Sequence, residues 1–343
     1  MIEKKGELFG IQMLRGFAAL AVVIHHVLEA SNGSTGRFSP DWLTTAGAAG
    51  VDIFFVISGF IMYHTCFNTD RPAPSAASFL KRRVLRIYPM YWICLAAMVV
   101  VYAAGFMKSH SASPAQLALS IVLWPGDTLL GVSWTLSYEM LFYLVFAACL
   151  LSPSLLIKRA GAVVAVSVLV VLGGSLHSDF LGNPVAIEFC LGILVAGVSH
   201  RIKSSYWLAA AATVACLIVF AAPALVPHKL TAGLDGWSRC LCWGLPAALI
   251  VAAFVRVPAP ASLPSKAAVF LGDASYSLYL THTFVVIIYS WLLKKTGLGS
   301  MPQALPVLMT VVIACLVGVS AYFVVERPLN NVLRQRLKSF MAA

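Results

Sequence analysis

Arg15 and His26 both fall in the apolar stretch LRGFAALAVVIHHV, residues 14–27, where an ionisable side chain needs a reason to be. Eleven helical residues turn through about 1100°, roughly 20° past three full turns, so the two side chains share one helix face. They lie about 16 Å apart along the axis, near half of a ~30 Å hydrocarbon core. His25 falls about 80° off that face by the same arithmetic. Glu29 follows His26 by three residues, within reach on a helix. A neutral imidazole oriented by a carboxylate in a low-dielectric site is a competent general base. The plain alternative is a histidine pair packed between helices and bonded to backbone.

Four further stretches carry groups able to do chemistry. In KRRVLRIYPMYW (81–92), Arg83 and Arg86 are three apart on one face, and guanidinium forks match phosphate oxygens. A basic, aromatic membrane anchor would read the same way. In SWTLSYEMLFY (133–143), Glu139 lies about six residues into an apolar span, where a carboxylate needs a partner or a proton. In GVDIFFVISGFIMYH (50–64), Asp52 could cap a helix, and Ser58 and Gly59 permit close helix approach. In LGDASYSLYLTHTF (271–284), Asp273, Tyr276, Tyr279 and His282 recur every three residues and predict a polar stripe on one span. Such a stripe lines either a cavity or a helix contact. VERPLN (325–330) predicts a Glu326–Arg327 pair, with Pro328 stopping the helix.

These residues must be positioned by membrane-spanning helices. The chain has 343 residues, 60% hydrophobic and 11% charged, with mean hydropathy +0.88, which excludes an ordinary soluble domain. The expected class is all-α: a polytopic integral membrane protein with spans near 10–29, 49–67, 88–107, 133–151, 161–176, 184–198, 207–226, 238–255, 268–293 and 303–325. MIEKKGELFG leads into the first of them with no small-residue cleavage site, so that span reads as retained. The stretch AQLALSIVLW (115–124) is too short to cross and reads as interfacial or re-entrant. With this count, 18 of the 24 Lys and Arg residues fall on one side. Arg37, Lys108, Lys229, Arg239, Lys294 and Lys295 remain on the other. Both termini are then cytoplasmic, and residues 326–343 form a basic cytoplasmic tail.

The net charge of +11 therefore serves membrane topology rather than nucleic acid. Eight cysteines scattered through apolar segments, with no C-x-x-C, read as small buried hydrophobes. No histidine pair has metal-ligand spacing, so no metal site is expected. Loops are short, and no 3+3 or 5+5 internal repeat of the kind found in many secondary transporters is visible.

The order of motifs LRGFAALAVVIHH, GVDIFFVISGFIM, FLKRRVLRIYPMYW, SWTLSYEMLFY, LGDASYSLYLTH and VERPL resembles the membrane-bound acyltransferase family 3 over residues 8–330. It is most similar to short members that acetylate bacterial exopolysaccharide or other cell-envelope glycans. In that pattern a basic residue is followed by ten positions and a histidine, which Arg15 and His26 match, while His25 stands where a hydrophobic residue is usual. The resemblance implies that Arg83 and Arg86, with Arg82 and Tyr88 of the same run, contact an acyl-CoA. It also implies a role for Glu139 in catalysis beside His26 and Arg15. A C-terminal SGNH-type domain found in some members is not expected, so 1–343 reads as one transmembrane acyltransferase domain.

The mechanism expected is O-acetyl transfer. Acetyl-CoA binds from the cytoplasm on Arg83 and Arg86. His26 then either deprotonates an acceptor hydroxyl or carries the acetyl group transiently. Glu139 orients or protonates, Arg15 stabilises charge, and Asp52, Ser58, Tyr138, Tyr276 and His282 are candidates for contact with the acceptor. The acceptor is a glycan or lipid-linked saccharide, the setting is the bacterial inner membrane and its lipid, and a homo-oligomer is compatible with all of this. The rival from another class is a secondary transporter or flippase for a glycan precursor, which would also want buried Arg, His and Glu.

Overall fold

The computed structural model describes residues 8–36, 38–68, 72–105, 113–126, 128–202, 206–226, 228–229 and 233–342. Lys4, Lys5, Arg37, Arg71, Lys108 and Lys203, used in the charge count, lie outside them. Fifteen α-helices are described. They are α1 (Phe9–Thr35), α2 (Asp41–Ala46), α3 (Gly50–Phe67), α4 (Ala76–Ala103), α5 (Pro114–Ile121), α6 (Trp134–Leu150), α7 (Leu155–Ser175) and α8 (Ile187–Val198). The series continues with α9 (Tyr206–Leu225), α10 (Gly236–Arg239), α11 (Leu245–Phe254), α12 (Leu263–Asp273), α13 (Ser275–Lys295), α14 (Ala304–Ala321) and α15 (Arg327–Ala342). The strand content described is one two-residue antiparallel pair, β1 (His228–Lys229) with β2 (Gly233–Leu234).

Joined end to end where short turns link them, these helices make ten segments long and apolar enough to cross a bilayer. The protein is an all-helical, multi-pass membrane protein. The ten segments follow the expected order, and three of the boundaries that moved bear on the site. The second runs Asp41–Phe67, because a single tight turn at Gly47–Ala49 carries α2 into α3. Asp52 is thus eleven residues inside the segment rather than at its cap. The third starts at Ala76, so Arg83 and Arg86 ride on an established helix. The ninth starts at Ser275, because the chain breaks at Ala274 between α12 and α13. Asp273 accordingly belongs to α12 and not to the stripe of Tyr276, Tyr279 and His282.

Pro328, expected to stop a helix, is absorbed instead, and Pro246 is absorbed in the same way. Wide, π-type turns at Cys240–Gly244 and Tyr322–Glu326 precede Pro246 and Pro328. Each turn contains the residue four before the proline, Cys242 or Val324, whose carbonyl the ring would otherwise strike. Pro328 therefore opens α15 rather than ending a helix. Glu326 pairs with Ser277 (Oγ to Oε2 2.5 Å), and Arg327 lies over the Phe323 ring.

The chain forms two compact units. The first contains α1 as far as Glu29, then 39–73 and 163–275. Its helices meet at glycines. A Cβ on Gly59 would lie 1.9 Å from the Phe189 carbonyl oxygen, and one on Gly192 would lie 2.0 Å from that of Val56, so α3 and α8 touch backbone to backbone. Gly47 and Gly50 bring α2 and α3 equally close to Ala21 and Ala18 of α1. Gly272 brings α12 onto Gln12. Ile11, Leu14, Val56, Phe60, Ala247 and Val251 fill the core between them.

The second unit contains 30–38, 74–162 and 276–343. Here α5 is bonded to the middle of α4 and, at eight residues, is too short to cross a bilayer. Helix ends leave carbonyls without partners, and three side chains of α4 satisfy those of α5. Tyr91 donates to Ser120 O (2.6 Å), Tyr88 to Val122 O (3.0 Å) and Trp92 to Ile121 O (3.0 Å).

The crossing of α3 and α8 yields a direct test. Gly59→Ala should lower the thermal midpoint of the detergent-solubilised protein, because overpacking costs about 1–3 kcal/mol. Gly197→Ala, whose Cβ would meet nothing within 4 Å, should leave it unchanged or raise it. Equal midpoints for the two variants would show that the helices do not meet there.

Candidate active site

In the first unit, α1 presents His26 with its Nδ1 3.1 Å from Glu29 Oε2, the two side chains 28% and 26% exposed. A carboxylate oxygen only accepts, so Nδ1 carries the hydrogen and Nε2 is the basic nitrogen of the neutral ring. The spacing of three residues on one helix produces this pair directly. His25, 2% exposed, faces inward, with its Nδ1 2.6 Å from the Thr44 carbonyl oxygen. Its Nε2 lies 4.0 Å from the same Glu29 oxygen, and the two imidazoles sit 4.8 Å apart, tilted by 49°.

One ring nitrogen from each histidine and one Glu29 oxygen lie within 4.8 Å of one another. The gathering follows from helical spacing, Glu29 lying four residues after His25 and three after His26.

Arg15 sits three turns below His26. Its Nη1 donates to Gln12 Oε1 (2.9 Å), and Gln12 Nε2 donates to Asp273 Oδ1 (2.5 Å). The absent side chain of Gly272 lets this chain close. Gln12 went unremarked in the sequence reading, although it is one turn before Arg15 and on its face.

Asp52 is fully buried and held by both nitrogens of one guanidinium edge, Arg239 Nε to Oδ1 (2.9 Å) and Nη2 to Oδ2 (2.8 Å). Arg239 also lies 5.3 Å over the Trp243 ring. Arg239, one of the six cations assigned to the second side, is a buried residue of its segment. Glu188, also fully buried, faces Gly244, where a Cβ would come within 2.9 Å of its carboxyl. Ser58 is buried one residue before the Gly59 crossing.

In the second unit, Arg83 stacks its guanidinium 5.5 Å from the Phe79 ring centroid and 5.8 Å from that of Tyr143. The Tyr143 hydroxyl donates to Glu139 Oε1. Arg83 and Glu139 are thereby joined through one tyrosine, four residues on from the glutamate. Arg82 and Arg86 are exposed, and Arg82 donates to Ser78 Oγ (2.7 Å). Tyr88 uses its hydroxyl on α5.

Tyr276 donates to the Ile87 carbonyl (2.7 Å) and lies within electrostatic reach of Glu139, Glu326 and Arg86. Tyr279 bonds Val132 O and Thr135 Oγ1, and buried His282 has its Nδ1 3.2 Å from Leu278 O. Tyr138 is buried edge-on to Trp134. The aromatic stripe of α13 is therefore a helix contact at Tyr279 and His282. At Tyr276 it meets charged groups.

The acyltransferase domain family matches residues 8–325. The chain belongs to the membrane-bound acyltransferase family 3. This acyltransferase is 32% identical over 322 residues to the exopolysaccharide production protein ExoZ of Rhizobium meliloti, a match covering 83% of this chain and 90% of that protein. It is 27% identical to the acyltransferase MdmB of Streptomyces mycarofaciens, covering 94% and 92%. It is 23% identical to the putative peptidoglycan O-acetyltransferase YrhL of Bacillus subtilis, covering 96% of this chain and 56% of that one. No solved structure matches the chain.

Breaking the Asp52–Arg239 pair should be costly, because removing one member of a buried pair typically costs about 3–5 kcal/mol. Arg239→Ala is expected to lose most of the folded protein on size-exclusion chromatography. The double variant Asp52→Leu with Arg239→Met should recover much of it. A fully folded, thermally unchanged Arg239→Ala protein would show the pair to be dispensable.

Proposed function

We propose that this acyltransferase is an O-acetyltransferase of the bacterial cytoplasmic membrane, with both termini cytoplasmic. In this reading it moves an acetyl group from acetyl-CoA to a hydroxyl of a cell-envelope or exopolysaccharide glycan. The observation that carries the reading is the His26–Glu29 hydrogen bond, which leaves Nε2 basic on a ring that is not sealed in the core. The similarity to an exopolysaccharide production protein and to a putative peptidoglycan O-acetyltransferase supports the glycan acceptor.

In the direct route, Nε2 of His26 removes the proton of the acceptor hydroxyl, and its oxygen attacks the thioester carbonyl. The C–O bond forms, the C–S bond breaks, and the proton returns to the departing CoA sulfur. In the relay route, the same Nε2 attacks the thioester carbonyl, the C–S bond breaks and CoA leaves as a thiolate that takes up a proton from water. The acceptor oxygen later attacks the acetyl-imidazolium, the N–C bond breaks and the hydroxyl proton is released to water. Glu29 stabilises the imidazolium in either case, as the carboxylate of a hydrolytic triad does. Arg83 and Arg86 bind the phosphates of the donor; the stacking of Arg83 on Phe79 and Tyr143 fixes its plane for a bidentate contact. Arg82 adds charge to that approach, and Arg15 supplies a fixed cation on the His26 face of α1. Glu139 orients or protonates the reacting groups, and Tyr276 is a candidate contact for the acceptor. Asp52, closed off by Arg239, and Tyr88, bonded to α5, serve the scaffold.

Four measurements test this. His26→Ala should lower acetyl transfer by about 10²–10⁴-fold, the usual worth of a general base, with expression and elution profile unchanged. Acetylation retained in that variant would remove His26 from the mechanism. Arg83→Ala should raise KM for acetyl-CoA about tenfold or more, since a charge-assisted hydrogen bond contributes about 1.5–3 kcal/mol. Labelled acetyl-CoA must also be consumed by the purified protein; gradient-driven glycan flux without consumption would mark a transporter instead. Chelation with EDTA should leave the rate unchanged, because His25, His26 and Glu29 already engage one another and Thr44.

A further inference from the structure

We propose that His25 is a positioning residue for the transfer reaction. Held at Nδ1 by the Thr44 carbonyl, its ring keeps Glu29 and His26 in working geometry. This rests on the reading of His26 as the transfer residue.

His25 is 2% exposed, a depth at which an apolar side chain would serve packing alone. The site nonetheless uses the ring's polarity. A carbonyl oxygen only accepts, so the 2.6 Å contact with Thr44 O puts the hydrogen on His25 Nδ1. That acceptor is itself rigid. Thr44 is fully buried, its hydroxyl is 2.7 Å from Ser39 Oγ, and it ends a turn that Gly47 lets settle onto α1. A Cβ on Gly47 would lie 2.9 Å from that of His25, so the approach leaves no slack.

The other edge of the ring faces the reaction. His25 Nε2 is 4.0 Å from the Glu29 oxygen that binds His26, and the two rings lie 4.8 Å apart. His25 therefore stands beside both Glu29 and His26 and bounds the space into which the carboxylate could turn. A free ring would let the carboxylate turn, and with it the tautomer of His26. Through this contact α2, with no reactive group of its own in the site, sets the orientation of the base.

The test exploits the shapes of two amides. Asn places a donor where Nδ1 was, and Gln places one near Nε2. Thiol release from acetyl-CoA, with a de-O-acetylated exopolysaccharide as acceptor, is measured for wild type, His26→Ala and three replacements at position 25. His25→Phe and His25→Gln are expected to lower kcat about tenfold, the scale of one lost orienting hydrogen bond, with KM for acetyl-CoA unchanged. His25→Asn is expected to stay within about twofold of wild type, since it keeps the donor. Full activity of His25→Phe, or rescue by Gln and not by Asn, would overturn the proposal.

Should the variants not fold, the ¹⁵N shifts of labelled histidine in the wild-type protein decide. Protonated Nδ1 on His25 is required, and a protonated Nε2 with bare Nδ1 would refute the anchor. If His26→Ala is active, the broader reading of His26 fails. If His26→Ala is dead and His25→Phe is normal, only the role of His25 fails.

Discussion

A polar group placed at hydrocarbon depth must find its partner within the protein, because lipid offers none. That single constraint organises most of what is seen here. Asp52 is closed by Arg239, Arg15 is led through Gln12 to Asp273, Glu139 accepts from Tyr143, and Glu326 accepts from Ser277. Even backbone obeys it, since the carbonyls at the end of α5 each receive a side-chain donor from α4. Glycines make these pairings reachable by letting helices approach to backbone contact. His26 and Glu29 are the contrast: bonded to each other, yet a quarter exposed. A pair that retains access is what a reactive group needs and a structural one does not.

Much of this is legible in the residues alone. Ten apolar stretches appear as ten spans in order, since hydrophobic length is written contiguously. The pairing of His26 with Glu29 and the close approach at Gly59 follow from helical spacing and residue size, which are local. Partners far along the chain are not local. Nothing near Asp52 points to Arg239, 187 residues away, and nothing near His25 names a backbone carbonyl at Thr44. A charge count gives the side on which Arg239 lies but not its burial; Trp243, four residues on and under its guanidinium, is the local sign of an interior helix face.

The two prolines teach a related lesson. Proline in an apolar helix is read as a stop because its ring strikes the carbonyl four residues earlier. At Pro246 and Pro328 one wide turn removes that collision, and the helix proceeds. Both wide turns also carry or follow ionised groups: Arg239 precedes the first and Glu326 ends the second. Widening a turn rotates the following side chains relative to those before it. A span can thus offer one face to its charged partner and another to its apolar neighbours.

The α5 hairpin has a consequence for how the protein is made. At eight residues it is too short to be inserted into the bilayer on its own. During synthesis α4 emerges first, and its Tyr88, Tyr91 and Trp92 are already in place when α5 arrives. Three side-chain donors, rather than length, thereby hold the segment against α4.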